Sequence, residues 1–87
     1  MNYIKKSLQG HNQAAAKVYI YDNGDIDLYS YSTRVISISG GKIECTGTYS
    51  ATTRKHIGLF CREYLPGRSY YDIKAIAGRG MVSLASI

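Results

Sequence analysis

Three basic side chains in a row, Arg54, Lys55 and His56, follow a run of hydroxyl residues in the stretch GTYSATTRKH, residues 47–56. Hydroxyl residues ahead of an apolar periodicity read as helix caps. Ile57, Phe60, Cys61 and Tyr64 supply the i, i+3, i+4, i+7 spacing of one helix face. The pattern predicts a helix over 52–64, capped by Thr52 or Thr53, with the cations in its first turn. The positive pole of the helix dipole lies there and favours acidic residues. Cations at that pole therefore ask for an anion, and free N–H groups at a helix start suit phosphate. The competing reading is that long basic side chains turn away into solvent.

Other chemistry is poorly supplied. A reactive serine or cysteine needs a base held by a third group. His56 is the histidine expected in ordered structure, and it stands five residues before Cys61. On one helix that separation is about 140°, so the two point apart. Asp25 and Asp27 share one strand face but flank tyrosines at a hairpin tip, where solvated charge is the ordinary reason for them. His11 and His56 are isolated from each other and from Cys45 and Cys61, so no metal-ligand spacing exists. No glycine-rich phosphate motif is present; GRG at 78–80 is too short. The expectation is a protein that is not an enzyme and that uses neither cofactor nor metal.

Tyrosine is the unusual ingredient: nine tyrosines accompany one phenylalanine and no tryptophan. Tyrosine offers large contact area, little entropy loss and a hydroxyl, which suits binding surfaces, and it stacks on unpaired bases. Aromatics also stabilise small sheets through cross-strand pairs with no partner involved.

The elements that must position these residues are two hairpins and a helix. KVYIYDNGDIDLY, residues 17–29, is two alternating runs around Asp-Asn-Gly. A two-residue Asn-Gly turn mixes polar and apolar partners on each face. A three-residue loop, Asp22-Asn23-Gly24, pairs Ile20 with Ile26 and Val18 with Leu28 and keeps one face apolar. Tyr19, Tyr21 and Tyr29 then share the other face with Asp25 and Asp27, and Tyr31 extends the row. RVISISGGKIECTG turns at Gly40-Gly41, pairing Ile38 with Ile43 and Ile36 with Cys45. Ser37, Ser39, Lys42 and Glu44 form its outer face.

The result is an α+β domain: a four-stranded antiparallel meander with one main helix packed on its apolar face. LPGR at 65–68 ends that helix. Residues 69–78 read as a short helix capped by Ser69, or as a strand. MVSLASI is an edge strand or a docked apolar tail. NYIKKSL reads weakly as a strand, and GHNQAAAK as a loop or helical turn.

With 87 residues the chain makes one domain, 1–87, with a modest core. It has no apolar run approaching a membrane span and no signal-peptide pattern, so an intact cytoplasmic protein is expected. Both cysteines fall on apolar faces, as buried thiols. Of the formal charge of +5, residues 1–50 carry +1 and residues 51–87 carry +4. That bias favours an acidic partner.

The stretch SYSTRVISISGGKIECTGTYSATTRKHIGLFCREY resembles a family of short phage and plasmid proteins of Gram-positive bacteria, of unknown function. The resemblance rests on Tyr31, Thr33, Gly47, Tyr49, Ser50, Thr52, Thr53, Lys55 and His56. It implies mobile-element origin and action in the bacterial host cytoplasm. In size and build the chain also looks like an anti-CRISPR inhibitor. The expected function is stoichiometric inhibition of a bacterial nucleic-acid-handling defence complex. The expected partner is a host protein or ribonucleoprotein, bound through Tyr19, Tyr21, Tyr29, Tyr31, Arg54, Lys55, His56 and Arg62, with weak nucleic-acid binding at most. The alternatives are a DNA- or RNA-binding protein using the basic helix start, and a self-assembling structural protein.

Overall fold

A computed structural model describes residues 2–8, 15–47 and 50–87. Six strands are seen among them, in a single antiparallel sheet whose spatial order is the chain order. They are β1 (Tyr3–Ser7), β2 (Ala16–Tyr21), β3 (Ile26–Ser30), β4 (Thr33–Ser39), β5 (Lys42–Cys45) and β6 (Val82–Ser83). Two helices, α1 (Ala51–Tyr64) and α2 (Tyr70–Ile76), separate β5 from β6. The α+β class with an antiparallel sheet is as expected, but the sheet has six strands where four were expected.

The two additions lie at the edges. β1 pairs with β2, placing Tyr3 opposite Tyr21 and Lys5 opposite Tyr19. All five of its residues are exposed, so no buried alternation marks it in the sequence. β6 has two residues, paired with Lys42 and Ile43, and runs straight into a 3-10 turn at Leu84–Ser86. Leu84 and Ile87 pack against the core, and the Arg68 guanidinium donates to the Leu84 carbonyl at 3.0 Å. MVSLASI is therefore both an edge strand and a docked tail. The loop reading of residues 10–14 lies outside the described residues.

The hairpin registers follow from keeping one face apolar. Ile20 stands opposite Ile26 and Val18 opposite Leu28, across a loop whose Gly24 has φ +93°. That conformation admits glycine without a steric cost. In the second hairpin Ile38 faces Ile43 and Ile36 faces Cys45, around Gly40 and Gly41, both at positive φ. Between the hairpins the chain turns at Tyr31-Ser32, and β4 then carries a bulge: Leu28 pairs with Ile36 but Tyr29 with Arg34. The extra residue is Val35, which is fully buried. An unbroken alternation would have sent it outward.

Helix α1 covers the apolar face, burying Ile57, Phe60 and Cys61, with Tyr64 half-buried and stacked on Phe60 at 5.1 Å. Its cap is Ser50, not Thr52 or Thr53. Ser50 is extended and its Oγ accepts from the Thr53 N–H at 3.2 Å, which makes Thr53 the third helical residue. Within residues 69–78 the structure has a helix, Tyr70–Ile76, and no strand: Ser69 and Asp72 form a reciprocal capping box, with the Ser69 N–H donating to Asp72 at 2.8 Å. Ile73 and Ile76 are buried, and Gly78 lies just past the end at positive φ. No helix among the described residues is long and apolar enough to cross a membrane.

Both cysteines are buried free thiols. Burial, followed by the charge of Asp72 and the neighbouring Cys45, pushes the Cys61 thiol up to about 11.

Two outcomes follow from this architecture. Ser50→Ala lowers unfolding free energy by about 1 kcal/mol in urea denaturation, while Thr52→Ala changes it by a few tenths at most. Cys61 is not alkylated in the native protein near neutral pH and reacts on unfolding. In the unfolded chain its thiol ionises near the ordinary 9.0, and in the folded chain near 11. The folded state thus retains a proton that the unfolded state releases, and stability falls as pH rises across that window.

Candidate functional site

Both helices lie on the apolar face, so neither covers the outer face of the sheet, and the register arranges its side chains in rows. The row nearest the 22–24 loop holds Tyr3 and Tyr21. The next runs Lys5, Tyr19, Asp27, Ser37, Glu44, and the last Ser7, Lys17, Tyr29, Arg34. Four tyrosines touch across three strands. Tyr3 meets Tyr19 at 5.0 Å and Tyr21 at 5.8 Å, both edge-on, and Tyr19 meets Tyr29 at 5.2 Å. Edge-on and tilted pairs at these separations suit the ring quadrupoles.

Two acidic groups on this face, Asp25 and Asp27, are held by neighbours. Asp27 is buried, and its carboxylate accepts from the Tyr21 hydroxyl at 3.1 Å. The solvated charge expected at this position is thus a packed one. Desolvation, and then the Asp27 carboxylate, raise the Tyr21 phenol above its ordinary value. Asp25 accepts from Ser39 Oγ at 3.0 Å and from the Asn23 amide at 3.3 Å. Charge is thereby graded along the strands: Asp25 sits by the 22–24 loop, Asp27 and Glu44 share the middle row with Lys5, and Lys17 and Arg34 stand in the far row.

At that far end an open groove of about 590 Å³ is lined by Ala15, Lys17, Tyr19, Tyr29, Tyr31 and Ser32. No carboxylate lines it. Tyr31 reaches it from the turn and not from a strand. Its φ is +58°, uncommon for a bulky residue, and its N–H donates to the Ala15 carbonyl. The ring is 59 % exposed.

The basic helix start is built differently from its expected form. With Ser50 as cap, Arg54 and Lys55 belong to the second turn, and the Arg54 N–H already donates to the Ser50 carbonyl at 3.0 Å. His56 is fully buried and belongs to no surface. Its Nδ1 lies 2.9 Å from Ser30 Oγ, which is also 3.1 Å from Thr53 Oγ1. Three polar residues from β3 and α1 thus satisfy one another inside the core. His56 is buried because β3 presents a small hydroxyl, not a branched apolar side chain, where the helix begins. Arg54, Lys55 and Arg62 are exposed on α1, the helix on the face opposite Tyr19, Tyr21 and Tyr29.

Of the expected site residues, the structure brings together Tyr19, Tyr21 and Tyr29, with Tyr31 on the same groove and its ring 6.1 Å from the buried His56 ring, while Arg54, Lys55 and Arg62 stand on α1. Sequence reasoning missed Tyr3, Lys5, Lys17 and Arg34. Lys17 was legible, since KVYIY places it on the face of Tyr19 and Tyr21. Tyr3 and Lys5 depended on the pairing of β1. The Ser30–His56 contact spans 26 residues with no local signal. Tyr49 lies outside the described residues.

This chain belongs to DUF8033, a family of unknown function, whose profile matches residues 3–75. The match reaches from β1 almost to the end of α2, so the tyrosine face and both helices lie within the family unit. No curated protein and no solved structure matches the chain.

Removing the Ser30 hydroxyl leaves buried polar atoms of His56 and Thr53 without that partner. Ser30→Ala is expected to cost about 1–3 kcal/mol in urea denaturation. Arg54→Ala, at an exposed position, stays within about 0.5 kcal/mol.

Proposed function

We propose that this protein acts by binding and not by catalysis, docking its tyrosine-lined sheet face on a nucleic-acid-handling complex of a bacterial host. In this reading it is a stoichiometric inhibitor carried by a phage or plasmid and works in the host cytoplasm. The observation that carries the binding role is the contact chain of Tyr3, Tyr19 and Tyr29 across three strands, on a face that neither helix covers. Aromatic anchors of this kind dominate binding energy where they are desolvated by a partner. The mobile-element origin is supported by the resemblance of residues 30–64 to phage and plasmid proteins.

Catalysis is disfavoured by the place of the best-formed pair. Ser30 and His56 are at hydrogen-bond distance but lie in the core, 2 % and 0 % exposed. A nucleophile must be reachable by its substrate. The basic helix start is disfavoured as the main contact, since His56 is internal and the two cations stand beyond the first turn. Self-assembly through sheet edges is disfavoured as well. β1 carries Lys5 and Lys6 along its free edge, and β6 is two residues long. Edge lysines and short edge strands are the usual guards against strand pairing between copies.

The test replaces Tyr19 and Tyr29 together by threonine, which suits a strand. Each lost aromatic contact costs about 0.5–1.5 kcal/mol, so a cooperative melt at reduced temperature is expected. Capture of partners from a bacterial lysate, with and without nuclease, is expected to disappear in this variant. Capture that equals the wild type in the folded variant removes the sheet face from consideration.

A further inference from the structure

We infer that the groove at the Lys17 end of the sheet is a site for single-stranded nucleic acid, with bases on Tyr31 and Tyr29 and phosphates on Lys17, Lys5 and Arg34. The inference rests on the reading above only in taking the outer face as the contact surface. It goes further by naming what that face holds.

Four observations converge on this end of the face. The groove, about 590 Å³ and open on one side, falls in the size range of about 300–1,000 Å³ typical of ligand sites. Its polar lining is phenolic, hydroxyl and cationic, with no carboxylate. Lys17 stands directly opposite Tyr29, which stands opposite Arg34 on the next strand; Lys5 stands opposite Tyr19. Cation and aromatic therefore alternate across the strands in the row of Lys17, Tyr29 and Arg34, with the Lys5 and Tyr19 pair beside it, as a chain of alternating phosphate and base requires. Last, Tyr31 holds a left-handed backbone conformation, and its exposed ring lines the groove while resting 6.1 Å from the His56 ring. Strained residues of this kind persist where the surroundings fix them and gather at ligand sites. The Ala15 carbonyl supplies one such restraint.

A single strand fits this surface better than a duplex, because stacking needs unpaired base faces. An acidic protein segment satisfies the cations but leaves the exposed phenol rings without a planar partner. The opposite end of the face, where Asp25 lies beside the 22–24 loop, sets the direction in which the strand leaves: away from that loop.

The test is fluorescence anisotropy with labelled ten-nucleotide oligo-dT and oligo-U, a ten-base-pair duplex and an oligo-glutamate peptide. The single strands are expected to bind more tightly than the duplex and the peptide. Three phosphate contacts give a log–log salt slope of about −2, an approximately twentyfold loss between 50 and 200 mM salt. Lys17→Gln is expected to make the slope shallower by about 0.7. Tyr31→Asn keeps a residue that tolerates the left-handed region. It is expected to weaken binding by roughly tenfold or more, the worth of one stacked base, with the slope unchanged.

Equal binding of peptide, duplex and single strand overturns the inference, as does affinity indifferent to Tyr31→Asn. Absence of oligonucleotide binding overturns it too, while the lysate experiment with the Tyr19 and Tyr29 variant still decides the broader reading independently. Tyr31-dependent oligonucleotide binding without any host partner upholds the groove and sets the inhibitor reading aside.

Discussion

With Ile20 opposite Ile26 and Val18 opposite Leu28, the first hairpin commits every side chain of β2 and β3 to one layer or the other. A slip of one residue would send Tyr19, Tyr21 and Tyr29 into the core and the isoleucines into water. The loop with Gly24 at positive φ is what holds this register. The second hairpin repeats the solution, and the bulge at Val35 reconciles the two. It lets Val35 and Ile36, adjacent in sequence, both be buried. Packing of α1, shape of the outer face and position of the groove all descend from this one alignment.

Because a helix layer covers only one side, the other side must be stabilised by its own side chains. The outer face does this with ring contacts and with hydroxyl–carboxylate pairs, Tyr21 to Asp27 and Ser39 to Asp25. These interactions hold Asp25 and Asp27 in place, and the row of Lys17, Tyr29 and Arg34 carries no carboxylate. The same residues that make a bare sheet tolerable thus give it a polarity. Structural need and binding capacity are not rival accounts of the tyrosines here, since half-buried rings serve both.

On the inner side the start of α1 is fixed by polar contacts. Ser50 caps the helix, Thr53 stands between Ser50 and Ser30, and His56 meets Ser30. Buried polar groups are tolerated when they satisfy one another, and they specify orientation more sharply than apolar contact does. The stretch that looks most like a binding motif in the sequence is therefore largely architecture. Its Ser50 and Thr53 hydroxyls and its imidazole dock the helix on β3, while Arg54 and Lys55 are left to solvent.

The sequence by itself determined the two hairpin registers, the glycine turns, the main helix and the burial of both cysteines. Each of these is written in a local period or a turn residue, and each is decided by neighbours within a few positions. The capping serine at 69 with Asp72 three residues on is legible in the same way. Only the tertiary structure decided that β1 joins the sheet, because a strand whose five residues are all exposed carries no hydrophobic alternation. It alone brought Tyr3 and Lys5 beside Tyr19. It alone turned His56 inward, since a histidine's burial depends on a hydroxyl 26 residues away that can satisfy it. Local patterns set which face a side chain takes; long-range contacts decide whether water ever reaches that face.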